Sequence, residues 1–121
     1  MATWDDVTRI AERLPNTLAA GQAPKRTWDA LGKTLAWERP LSKKHQKEIS
    51  ALGETVHQGA ILAIHTPDEI TALAYVQMEP EKYFTMPHFA GYPAVLARLE
   101  MLTDDDLTEL LYEAWVASGV G

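Results

Sequence analysis

A single domain over 1–121, of the α+β class with an antiparallel sheet flanked by three main helices, is the architecture this chain predicts. Three observations carry that expectation. Strand-type segments follow one another between residues 17 and 41, as in a meander. Helix signals stand apart from them, at the N-terminus, after His65 and after Leu102. One unbroken apolar run, Ala60-Ile61-Leu62-Ala63-Ile64, fits a central strand covered on both faces.

Taken in order, Thr3 is placed to cap a first helix, with Asp5 and Asp6 against its positive dipole end. Trp4, Val7, Ile10, Ala11 and Leu14 recur on one side of it, and Pro15-Asn16 ends it. Strands are expected from Thr17 to Ala23, Thr27 to Leu31 and Thr34 to Glu38, with a two-residue turn at Gly32-Lys33 and Pro40 closing the meander. A short helix over 42–52 has Ser42 as cap and Gly53 as stop. After the central strand Gly59 to His65, the run Thr66-Pro67-Asp68-Glu69 combines a cap, a first-turn proline and a glutamate three residues on. That helix is expected to reach Met78 and bury Ile70, Leu73 and Ala74. Tyr83 to Met86 and Ala94 to Met101 read as strands on either side of a turn-rich segment, with Tyr92-Pro93 a candidate cis bond. Thr103 starts the last helix, whose stripe is Leu107, Leu110, Leu111, Ala114 and Trp115.

Composition narrows the chemistry. The chain has no cysteine, which excludes disulfides, cysteine-held iron–sulfur clusters and thiol catalysis. No apolar run approaches the ~18 residues of a membrane span. The start Met-Ala-Thr-Trp-Asp-Asp lacks the basic and apolar regions of a secretory signal, so a cytoplasmic location is expected. Net charge is −6, but unevenly spread. Between 25 and 48, the seven cations Lys25, Arg26, Lys33, Arg39, Lys43, Lys44 and Lys47 outnumber Asp29, Glu38 and Glu48. Beyond residue 48, only Lys82 and Arg98 oppose eleven acids. An anion-binding surface, if the chain has one, belongs to the 25–48 segment, because a local field outweighs the global sign within about 8 Å. The bland counterpart is that these lysines solubilise hairpins.

Catalytic constellations are missing from the sequence. His45, His57 and His65 are scattered without ligand spacing, so no metal or cofactor is expected. The glycines form neither a P-loop nor a dinucleotide fingerprint, and Ser42, Ser50 and Ser118 lack a nucleophile elbow. Asp104-Asp105-Asp106 reads as helix capping. In Tyr83-Phe84-Thr85-Met86-Pro87-His88-Phe89-Ala90-Gly91-Tyr92-Pro93, His88 has the chemistry of an acid or base. The structural reading has its ring bond a neighbouring carbonyl and fix the turn. Gly91 supplies an unusual backbone angle, while Pro87 and Pro93 stiffen the approaches. Trp28 and Trp37 lie among the basic residues, where rings stack on bases while cations neutralise phosphates. At least one of them is expected in the core.

These motifs give the chain a resemblance to the MmcQ/YjbR family of small bacterial proteins over nearly its full length. It is strongest from Tyr83 through Tyr92-Pro93-Ala94-Val95-Leu96, with support from Arg13-Leu14-Pro15, Gly32-Lys33, Leu35-Ala36-Trp37, Arg39-Pro40-Leu41 and Ala114-Trp115. The resemblance implies a YjbR-like, partly frataxin-like α+β fold and DNA binding, with no catalytic residue or cofactor. Two departures stand out. Asn16 to Ala20 lacks the acids of many relatives, and Val116 to Gly121 lacks their basic tail.

The leading expectation is therefore a non-enzymatic module that binds DNA in a salt-sensitive way. Its contacts would be Lys25, Arg26, Trp28, Lys33, Trp37, Arg39, Lys43, Lys44 and Lys47. Pro87, His88, Gly91, Tyr92 and Pro93 would be scaffold. The alternatives are a protein-interaction module without nucleic acid, or a small-ligand protein using the His88/Tyr92 turn.

Overall fold

A computed structural model describes residues 2–40, 47, 50–51, 59–85 and 91–119. Six strands form one antiparallel sheet in the order β1-β2-β3-β4-β6-β5. They are β1 Thr17–Ala20, β2 Thr27–Ala30, β3 Lys33–Glu38, β4 Ile61–His65, β5 Tyr83–Phe84 and β6 Ala94–Arg98. Three helices are described in full: α1 Trp4–Ala11, α2 Glu69–Met78 and α3 Asp104–Ala117. The molecule is thus α+β, as its sequence predicts.

Both terminal helices begin with reciprocal caps. The Thr3 hydroxyl accepts from Asp6 N at 3.3 Å while the Asp6 carboxylate accepts from Thr3 N at 2.9 Å, and Thr103 and Asp106 repeat the pattern. Arg9 reaches Asp6 and Asp104 together, joining the two helix starts. α1 stops at Ala11, short of Leu14, and the chain turns through Asn16 in the left-handed region at φ +62.

The hairpin between β2 and β3 is displaced by one residue from its expected place. Ala30 pairs with Lys33, so Leu31-Gly32 form the two-residue loop, at φ +47 and +81. Positive φ at both central residues matches the twist of the flanking strands. The cis peptide falls at Ala23–Pro24, not before Pro93.

A bulge then sets the faces of β3. Asp29 pairs with Thr34 but Trp28 with Ala36, leaving Leu35 as the extra residue. Leu35 and Ala36 consequently both turn into the same core, while Thr34 and Trp37 share the opposite face. On the helical face, Val7, Ile10, Leu107, Leu110, Leu111 and Ala114 pack on Trp28, Leu35, Leu62, Ile64 and Val95. On the other, Ile61, Ala63, Phe84, Ala94 and Leu96 form a second buried cluster with Trp37 against it. β4 is therefore buried on both faces, as expected of the apolar run.

α2 departs most from expectation. Asp68, not Thr66, is its cap, accepting from Thr71 N at 2.7 Å; the Thr66 hydroxyl donates to the Asp68 carbonyl. The helix buries Ala72 and packs Tyr75 and Val76, leaving Ile70 and Leu73 exposed. Apolar residues lie all round this helix, so periodicity does not select a face. The contacts of Tyr75 do: its hydroxyl meets Glu113 of α3 at 3.1 Å and its ring lies 5.1 Å from Tyr83. β6 ends at Arg98 in a 3-10 turn, Leu99–Met101, where a longer strand was expected. Of the 42–52 segment, Lys47, Ser50 and Ala51 are helical and exposed; its other residues lie outside the described ones.

Candidate functional site

On the sheet face opposite α1 and α3, β3, β4 and the turn entering β6 line an open cleft of ≈ 520 Å³. Its lining brings Lys25, Arg26 and Arg39 around Trp37, His65 and Tyr92. Strand alternation explains the meeting. Ile61, Ala63 and His65 share a face of β4, and the bulge returns Trp37 to that face. His65 pairs with Ala94, which lays Tyr92 beside the histidine from two residues upstream. The Trp37 and His65 rings lie 4.9 Å apart at 51°, and the His65 and Tyr92 rings 5.5 Å apart at 56°. Tyr92 Oη stands 3.4 Å from His65 Nε2.

Burial lowers the His65 pKa, and a hydrogen bond to the Pro93 carbonyl opposes that in part. The imidazole is therefore neutral at neutral pH, and serves as a flat ring. Glu38 also lines the cleft, but Arg26 offsets its charge: Arg26 Nε donates to the carboxylate at 2.6 Å and Arg26 N at 3.1 Å. Arg26 also lies over the Trp4 ring, 5.5 Å from its centroid. Cations outnumber acids in this lining three to one. Aromatic rings beside cations are the side-chain types that stack planar groups and neutralise attached anions. Among the described residues, no three His, Cys, Asp or Glu side chains form a metal-holding group.

The expected contact residues separate. Trp28 is a correction: it is fully buried, stacked at 5.7 Å on Trp4, with its Nε1–H on the Thr8 hydroxyl at 3.0 Å. It cannot stack on a base, and it supplies the core tryptophan that the sequence required. Lys33 turns to the helical side, donating to the Ser118 carbonyl at 2.6 Å at the C-terminal end of α3. Lys25, Arg26, Trp37 and Arg39 converge in the cleft. Lys47 is exposed, and Lys43 and Lys44 lie outside the described residues.

The proline-rich motif divides likewise. Pro87 and His88 lie outside the described residues. Gly91, at φ +79, donates its N–H to the Glu69 carboxylate, and the Pro93 carbonyl accepts from Thr66 N at 2.9 Å. Both tie the turn to the approach of α2. Tyr92, expected as scaffold, is 43% exposed and lines the cleft. Sequence reasoning missed His65 as a site residue. The available signal was its position at the end of β4, in phase with Ile61 and Ala63.

Fold and cleft together define a small α+β protein with a cationic, ring-lined hollow on one face of its sheet. The uncharacterized protein Rv2570 of Mycobacterium tuberculosis and the uncharacterized protein Mb2600 of Mycobacterium bovis are each 47% identical to the chain over 116 residues, covering 96% of it and 88% of their own length. The chain belongs to the family of these mycobacterial proteins. No family model matches it, and no solved structure does. Among the described residues, no helix is long and apolar enough to cross a membrane.

Proposed function

We propose that the chain is a non-enzymatic, cytoplasmic binding module of the MmcQ/YjbR type that contacts nucleic acid through the sheet-face cleft. One observation carries this reading: Lys25, Arg26 and Arg39 share a single hollow with Trp37, His65 and Tyr92. The net charge of −6 does not oppose it locally. Five of the acids, Asp104, Asp105, Asp106, Glu109 and Glu113, sit on α3, which packs against the other side of the sheet.

The mechanism is electrostatic, so affinity falls with salt. Each phosphate contact contributes about −0.7 to the log–log slope on a single strand and about −0.9 on a duplex. Titration of labelled DNA from low to physiological salt measures that slope. Lys25→Ala should reduce its magnitude by about 1. Absence of saturable binding at low salt would overturn the reading.

A protein-interaction role has an observation of its own, the exposed Ile70, Leu73 and Met78 on α2. A partner protein that co-purifies and survives nuclease treatment favours it.

A further inference from the structure

We propose that the outer edge of β1 is an interface for a second copy of this chain, the two β1 strands pairing antiparallel about a two-fold axis. The strand order makes β1 an end strand, bonded to β2 alone among the described strands. Residues 18 to 25 are all exposed, Leu18 to 67%. A groove of ≈ 700 Å³ runs beside the strand, with Glu12, Arg13, Leu14, Thr17, Leu18 and Ala20 in its lining. Natural sheets usually protect such an edge with charge, proline or a bulge. Thr17-Leu18-Ala19-Ala20 has neither charge nor proline, and its register with β2 is unbroken. No charged residue occurs from Leu14 to Pro24. The other end strand, β5, is two residues long with both side chains buried.

Backbone phase decides what the edge can pair with. Leu31 N donates to the Asn16 carbonyl, and Thr17 N donates to the Leu14 carbonyl. Alternation therefore turns residues 18 and 20 toward β2, and leaves the Thr17 carbonyl, both Ala19 groups and the Gly21 N–H facing outward. That set is self-complementary. With the axis at Ala19, the two Ala19 residues exchange bonds, and each Gly21 N–H meets the Thr17 carbonyl of the other copy. Leu18 then lies across from Ala20 of the second copy, large against small, so the exposed side chain gains a packing partner. Charge selects the same arrangement. A Cβ on Gly21 would stand 2.8 Å from the Lys25 carbonyl, which places Lys25 at the far end of β1, while Glu12 lines the groove at the near end. Antiparallel pairing sets Glu12 of each copy toward Lys25 of the other, and Arg13 leaves that end neutral; parallel pairing would oppose the two Lys25 residues. The axis stands perpendicular to the sheet, so both clefts open on the same side of one continuous sheet.

A ladder this short makes an interface below about 1,200 Å², the size of transient contacts. The dimer is therefore read by sedimentation of the intact protein from about 1 μM to about 1 mM, where the average mass should rise from one chain toward two. Leu18→Lys, at an exposed position, should raise the dissociation constant about 10-fold or more by setting a charge on the edge. Ala19→Pro removes an outward N–H, leaves the bonds to β2 in place and should act in the same direction. The Ala19 amide should exchange its hydrogen more slowly at the high concentration than at the low one. The mass of one chain at every concentration overturns the proposal. A dimer that neither variant weakens overturns it too, and puts the contact elsewhere, as on the exposed Ile70 and Leu73 of α2.

Discussion

His65 lends itself to a test by pH. Burial lowers its pKa, so the unfolded chain takes up the proton at a higher pH than the folded one does. Its contribution to stability is therefore complete above about pH 6.5 and is lost as pH falls through the lowered folded value. Asp6 and Asp68 act in a different window. Backbone N–H groups of Thr3 and Thr71 respectively hold them below the ordinary carboxylate value, so their contribution is lost only below about pH 4. Urea midpoints at about pH 7.5 and about pH 5.5 separate the two. Wild type should lose more stability between them than His65→Asn does; parallel losses would mean that the ring is not held away from water. Among the aromatic residues, Trp28 and Trp37 have similar sequence surroundings yet opposite fates. Composition required a core tryptophan without saying which. The choice rests on the residue added at Leu35, which no propensity announces, because the bulge exists only once β2 and β3 are paired.

At the level of elements, the β2–β3 loop stores a local cost. Leu31 holds φ +47 with 69% of its surface exposed, and a left-handed conformation disfavours an L residue by roughly 1–2 kcal/mol. Leu31→Gly should raise stability by about 0.5–1 kcal/mol, since glycine's extra unfolded-state entropy offsets part of the gain. Chemical denaturation measures this, and a lower midpoint would show that the Leu31 side chain contributes packing that outweighs its backbone cost. Element starts with local chemistry were legible: Thr3 and Thr103 cap where the sequence places them. α2 was less so, because Thr66 and Asp68 both satisfy a cap pattern and tertiary hydrogen bonds decide between them. The Thr66 hydroxyl is engaged by the Asp68 carbonyl and its N–H by the Pro93 carbonyl, leaving the Asp68 carboxylate to receive Thr71 N. Its buried face was illegible for the related reason that Ile70, Ala72, Leu73 and Tyr75 offer no single apolar stripe.

Across the whole molecule, the sheet separates two surfaces of different charge. α1 and α3 cover one face and carry the acids of α3, while the opposite face holds the cleft with Lys25, Arg26 and Arg39. The sequence showed half of this site, the cations and Trp37 within 25–48. The other half comes from residues far along the chain: His65, which looked scattered, and Tyr92, which looked like scaffold. Antiparallel pairing of β4 with β3 and β6 brings all three rings together, and long-range register of that kind leaves no local mark. A heteronuclear NMR titration with single-stranded DNA at low salt tests the division most directly. Shifts should concentrate at Lys25, Arg26, Trp37, Arg39, His65 and Tyr92, leaving the α3 amides from Asp105 to Glu113 in place. Shifts centred on α3, or on the exposed side of α2 with the cleft unmoved, would contradict the account.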